Sequence, residues 1–234
     1  MRKEKDGLGE RLLPDEAYYG IQTLRAMENF AISDNTFAHY PNIVRAMAEI
    51  KKACALTNKE IGALPADIAD AIATACDEML AGRYPDQFPV NVFRGCGTSI
   101  NMNVNEVLGN RANELLTGHK GADRVHPNTH VNMCQSSNDV FPTAASLVLY
   151  RETGGLLDAL ATLEAAVRER MEALGPVVRI GRTCLQDAVP LTFGQSLSGY
   201  ASLLERTRAQ IAAFRKRSAT GILGATAVGT GIGV

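Results

Sequence analysis

Gln135, Ser136, Ser137, Asn138 and Asp139 form an unbroken row of hydrogen-bonding side chains, and Pro142 follows shortly after. Two other loops share this character: "GCGTSIN" at 95–101 and "GRTCLQDAVP" at 181–190. Each offers hydroxyls, amides or backbone N–H groups ahead of a helical pattern. A helix N-terminus presents free N–H groups and the positive end of the macrodipole, so it attracts anions. Hydroxyl and amide donors add direction without adding charge. Three such loops brought together would suit a small, multiply anionic ligand such as a dicarboxylate. Three ordinary helix caps remain the alternative, because Ser, Thr, Asn and Asp are favoured at that position in any case.

Other chemistries are less well supported. His126, His130 and Cys134 are spaced by four, as ligands on one helix face would be. Pro127 and Asn128 argue against a helix across them, no fourth ligand lies close by, and no metal is expected. Neither "GCG" nor "GTGIG" follows a clear strand to open a phosphate-binding unit, so no nucleotide cofactor is expected. Cys184 stands near Arg182, but a nucleophilic thiol needs a paired base, and no His is near.

These loops need elements to position them. With 46% hydrophobic residues, 6% aromatics and no Trp, the 234-residue chain reads as mainly α with an aliphatic core. A net charge of -1 gives no electrostatic reason for a nucleic-acid or anionic-membrane partner. No apolar run is long enough to span a bilayer, and "MRKEKDGLGE" lacks the apolar stretch of a secretory signal. Five scattered cysteines without a CxxC pair point to reduced thiols and a cytoplasmic setting.

Residues 1–14 read as irregular, with at most one short strand. Helices are expected over 14–30, 43–62, 65–82 and 98–118, then from about Pro142 to Leu174 and from about Phe193 to Ser218. Residues 119–139 read as loop, and "VVRI" at 177–180 as a short β-branched stretch. Asn101, Asn103, Asn105, Asn110 and Asn113 crowd a single helix. Asparagine is a mediocre helix former, so these side chains are expected to have buried partners. The apolar stripes of the two last helices demand cover from other helices, which implies oligomerisation or further chain.

"GCGTSINMNVNEVLGNRANE", "HPNTHVNMCQSSNDVFPTA", "GRTCLQDAVPLTFGQ" and "LGATAVGTG" resemble, in order and over essentially the whole chain, the aspartase/fumarase superfamily. The resemblance implies a small N-terminal helical domain over 1–139 and an incomplete central helix-bundle domain over 140–234. It also implies a tetrameric bundle core, with each active site built from three regions on three subunits. By the same resemblance Thr98, Ser136, Ser137, Asn138, Thr183 and Cys184 would bind substrate. Thr98, Ser136 and Ser137 would hold a β-carboxylate as it becomes an aci-carboxylate, and Asn138 and Thr183 the amino group and α-carboxylate. The implied reaction is anti elimination of ammonia from L-aspartate to give fumarate, with no cofactor.

"LLPDEAYYGIQTLRAMENFAIS" is similar to the start of the aspartase branch, and "GTS" and "DAVP" lean the same way. "NMNVNEV" and "HPN" lean toward fumarases, where a second dicarboxylate site includes H-P-N-D; here Thr129 replaces the acid. Cys184 stands where the superfamily often has His or Gln. Fumarase must expel hydroxide, which needs a proton, whereas ammonia leaves without one, so Cys184 harms the fumarase reading more. The superfamily's loop of the form G-S-S-x-M-P-x-K-x-N, which carries the catalytic base, does not occur in these 234 residues, and Gly233 stands where Asn is usual. The expectation is a chain that supplies substrate-binding loops but no catalytic residue. It would be the N-terminal part of a lyase, half of a split enzyme completed by a C-terminal chain, or a non-catalytic remnant.

Overall fold

The computed structural model describes residues 1–93 and 97–232; Gly95, Cys96 and Gly233 lie outside the described residues. The chain is mainly α, as its composition implies. Two antiparallel strands, β1 (Arg2–Asp6) and β2 (Gly9–Leu13), open it. They correct the expectation of an irregular start: Asp6 accepts the Leu8 N–H across the turn and a two-pronged ion pair from Arg25, and these contacts fold the segment back. Helices α1 (Ile21–Asn29), α2 (Pro41–Glu60), α3 (Ala66–Leu80) and α4 (Thr98–Thr117) follow. A single π-helical turn spans Pro127–Val131, then come α5 (Ser137–Leu174), the hairpin β3 (Val178–Thr183) and β4 (Gln186–Thr192), and α6 (Phe193–Ser218). Among the described residues no helix is long and apolar enough to cross a membrane.

Two compact units emerge. The first holds residues 1–148 together with 221–234; the second holds 149–220. The first unit's core is built from the apolar stripes of α2, α3 and α4, joined by Leu64 from the α2–α3 turn: Met47, Leu64, Ile72, Ile100, Val104 and Leu108 are essentially inaccessible. Helix α1 begins seven residues later than the acidic start after Pro14 suggests. Its N-terminus is set by a distant group instead. The buried Glu106 carboxylate on α4 accepts the N–H groups of Gly20, Gln22 and Thr23 and the Thr23 hydroxyl. Burial pushes the Glu106 carboxyl up, against the pull of these four donors.

In the second unit the residues of α5 that are buried are Thr153 and Glu164, not the leucines. Glu164 pairs with Arg168 and with Arg208 of α6, both at 3.0 Å. Leu156, Leu163, Tyr200 and Leu203 stay exposed. Among the described residues the apolar stripe read from the sequence is therefore present and partly exposed, at Leu149, Leu156 and Leu163.

Candidate active site

The row 135–139 is the start of α5. Ser136 caps the helix: its Oγ accepts the Asn138 N–H at 3.1 Å, and the Asp139 carboxylate reaches back to the Ser136 N–H at 3.0 Å. This reciprocal cap explains why α5 starts at Ser137 rather than at Pro142, the expected beginning. Pro142 lies inside the helix, where it lacks the N–H that would meet the carbonyl of Asn138. The cap supplies the order that this missing bond does not.

Thr98 is the first residue of α4 and is exposed. The starts of α4 and α5 lie against each other. A Cβ on Gly97 would come within 2.7 Å of Phe141, so only glycine permits this approach. One turn on, Asn101 donates to Ser137 Oγ at 3.1 Å, which leaves the serine hydroxyl hydrogen to donate elsewhere. Two helix N-termini thus carry Thr98, Ser136, Ser137 and Asn138 on one side of the first unit. Ser136 and Ser137 are half-buried and Asn138 is exposed.

A buried polar scaffold stands behind this loop. Asn132 Oδ1 accepts from Asn101, Asn105 and Lys51, while Asn132 Nδ2 donates to the Gln135 carbonyl. Lys51 also donates to Gln135 Oε1 at 2.9 Å, and Asn58 to the Met133 carbonyl. Further along α4, Asn103 donates to the Gln87 carbonyl, Asn110 to the Tyr18 carbonyl and Asn113 to the His119 carbonyl. The crowded asparagines of α4 are themselves buried and each Nδ2 has a partner, but the partner residues are half-buried or, at His119, exposed rather than buried as expected. On the other side Asp139, with no accessible surface, accepts the N–H groups of Gly224 and Thr226, at 3.2 and 2.8 Å. Asn138 donates to the Ala227 carbonyl at 2.8 Å. The glycine-rich segment after residue 220 is thereby fastened to the loop. Cys134 and Thr226 hold φ of 61 and 63°, a left-handed conformation uncommon for such side chains, at the two sides of this junction.

Thr183 and Cys184 lie in the second unit. The stretch 181–190 is a β-hairpin, which corrects the expectation that it caps a helix. Cys184 and Leu185 form its two-residue tip with φ of 49 and 63°. Such tips need positive φ at both positions, usually met by Asn or Gly, and here two side chains bear the strain. Thr183 and Cys184 are exposed. The helix that follows is capped later, by Thr192 and Gln195.

His126, expected to lie within a loop, instead caps the π-turn: its Nδ1 accepts the N–H groups of Asn128 and Thr129. His130 Nδ1 in turn accepts the His126 N–H. Burial lowers the His130 pKa. His126, Pro127 and Asn128 line a cleft of about 590 Å³ with the N-terminal hairpin, and no residue of 135–139 lines it. Among the described residues no group of three or more His, Cys, Asp or Glu side chains is gathered to hold a metal ion.

The sequence reading did not single out Lys51. Its signal was available: it falls in the stripe Met47, Lys51, Ala55, Asn58, the face of α2 that is buried. A lysine there is either misplaced or paired.

The mainly helical scaffold thus carries uncharged hydroxyls and amides at two adjoined helix starts. The family model described as Lyase matches residues 9–234, and the chain belongs to this family. It is 44% identical to the aspartate ammonia-lyase of Escherichia coli K12, over 99% of this chain and 49% of that protein. It is 45% identical to the Bacillus subtilis aspartate ammonia-lyase and 47% to the Halobacterium salinarum class II fumarate hydratase, each over 99% of this chain and 49% of the relative. The cobalt-bound fumarate lyase:delta crystallin structure from Brucella melitensis superposes with a TM-score of 0.89 at 46% identity, covering all of this chain and 51% of that one. The class II fumarase of Schistosoma mansoni gives 0.88 at 41% identity, over 99% and 49%. The chain thus spans about half the length of the relatives it matches.

Proposed function

We propose that this chain provides the substrate-binding loops of an ammonia-lyase that converts L-aspartate reversibly to fumarate and ammonia. The observation that carries this reading is the adjoined pair of helix starts, fixed by Gly97 against Phe141 and by Asn101 on Ser137. Elimination turns the β-carboxylate into a dianionic enediolate, and donors held in place where that charge develops stabilise it. Thr98, Ser136 and Ser137 fill this role. They are uncharged, so they strengthen as charge grows without binding the ground state too tightly. Asn138 and Thr183 hold the amino group and α-carboxylate, with Cys184 beside them. In this reading Thr183 and Cys184 reach the site of a neighbouring copy. The exposed Leu156, Leu163 and Leu203 stripe is then the interface of a homotetramer.

The proton must be taken by a serine loop of a kind absent from these 234 residues, supplied by further chain or by a complementing partner. The purified 234-residue chain is therefore expected to release no fumarate from L-aspartate, followed by absorbance. Addition of a C-terminal segment bearing the loop is expected to restore turnover. Robust activity of the chain alone overturns this reading. The 47% identity to a fumarate hydratase supports a second one, hydration of fumarate to malate. Assays of the reconstituted enzyme with aspartate and with malate separate the two.

A further inference from the structure

We propose that Lys51 is a positioning residue: its ammonium, bonded to Asn132 and Gln135, holds Ser136–Asn138 in register, and this hold slackens as the solution becomes alkaline. The inference rests on the reading above only for what the loop binds.

Lys51 has no accessible surface, and its Nζ lies 2.8 Å from Asn132 Oδ1 and 2.9 Å from Gln135 Oε1. An ammonium donates and cannot accept. It therefore dictates that both amides turn their oxygens inward. With Oδ1 inward, Asn132 Nδ2 points at the Gln135 carbonyl, the peptide that joins Gln135 to Ser136. The consequence is visible in the asparagines around it. Three donors converge on Asn132 Oδ1, while Asn101 Oδ1 and Asn105 Oδ1 are buried with no hydrogen-bond partner among the described residues. The cluster thus leaves acceptors unfilled, and one positive charge, rather than saturation of its own bonds, orients it.

The charge is removable. Burial brings Lys51 down to about 7, against the opposing influence of Cys54 on its own helix, Cys76 on α3 and Asp139 on α5. A neutral amine keeps two N–H groups and gains a lone pair. Its bonds to the amides weaken, because charge-assisted bonds are roughly twice as strong as neutral ones. The new lone pair can also accept from an amide, so Asn132 is free to turn and release the Gln135 carbonyl.

The test is hydrogen exchange of the full chain, read on peptides covering 132–141 and corrected for intrinsic rates. Between about pH 6 and about pH 8.5 the protection of Asp139 and Val140 N–H is expected to fall about tenfold, with α3 unchanged as internal control. Gln135→Glu gives Lys51 a charged partner and is expected to move the midpoint up by about one pH unit or more. Lys51→Met is expected to flatten the response. A loop whose protection is independent of pH, or a midpoint unmoved by Gln135→Glu, overturns the inference. Succinate titration by calorimetry separates this result from the functional reading. A pH-responsive loop that binds no succinate upholds the Lys51 role and counts against the dicarboxylate site. A rigid, pH-indifferent loop that binds succinate does the reverse.

Discussion

Asp139→Asn is the most informative single change outside the side chains proposed to bind substrate. The carboxylate accepts three backbone N–H groups, from Ser136 on one oxygen and from Gly224 and Thr226 on the other. An amide of the same shape has one oxygen. Its better orientation keeps the oxygen on Gly224 and Thr226 and turns the NH₂ toward the Ser136 N–H, donor against donor. One charge-assisted bond, worth roughly 1.5–3 kcal/mol, is then lost and the other two drop toward the neutral value. The expected cost is about 3 kcal/mol, concentrated on the cap of α5 and on the 224–226 junction. Urea denaturation followed by far-UV circular dichroism reads the global part. Hydrogen exchange reads the local part, where 3 kcal/mol corresponds to roughly a hundredfold loss of protection at Thr226. A loss below about 1 kcal/mol, with Thr226 still protected, would refute the reasoning that this buried charge joins the loop to the later segment.

Other substitutions test separate parts of the fold. Glu106→Ala strips four donors of their acceptor and is expected to destabilise the first unit by about 4 kcal/mol in urea, with Tyr18 and Tyr19 fluorescence as reporter. Glu78 has its carboxyl held below the usual range, first by the Arg111 guanidinium bonded to it. Its contribution is therefore present above the ordinary glutamate value and lost as pH falls through the lowered one. Glu78→Gln should cost roughly 2 kcal/mol at neutral pH and far less near pH 3, a contrast that denaturation at the two pH values measures. Leu185→Gly relieves a left-handed residue that is 94% exposed, and is expected to raise stability by about 0.5–1 kcal/mol, seen as a higher melting temperature.

How much was legible beforehand depends on where the determining partner lies. Helices α2, α3, α4 and α6 follow from apolar periodicity, since their spacing is a local property of each stretch. The family resemblance and the choice of loops rest equally on contiguous residues. The asparagines of α4 announced partners through their poor propensity, but not which ones. Helix α1, the first turn of α5 and the 181–190 hairpin depart from the expected pattern for two reasons: a distant group sets a helix start, or a local cap or turn outweighs the apolar and proline signals. Glu106 sets the start of α1 from 83 residues away. The Ser136–Asp139 cap carries α5 past the signal of Pro142. Chain reversal at Cys184 and Leu185 pairs β3 with β4 despite a tip without glycine.

The sequence by itself thus determined the helical class, the polar loops and the types of side chain they carry, because these depend on neighbours in the chain. Only the tertiary structure decided that Lys51 is buried behind the loop and that Asp139 joins it to Gly224 and Thr226. It alone decided that α4 and α5 present their N-termini together. Those are hydrogen bonds and contacts between residues far apart in sequence, and a charge becomes a device for positioning only where folding has removed its water.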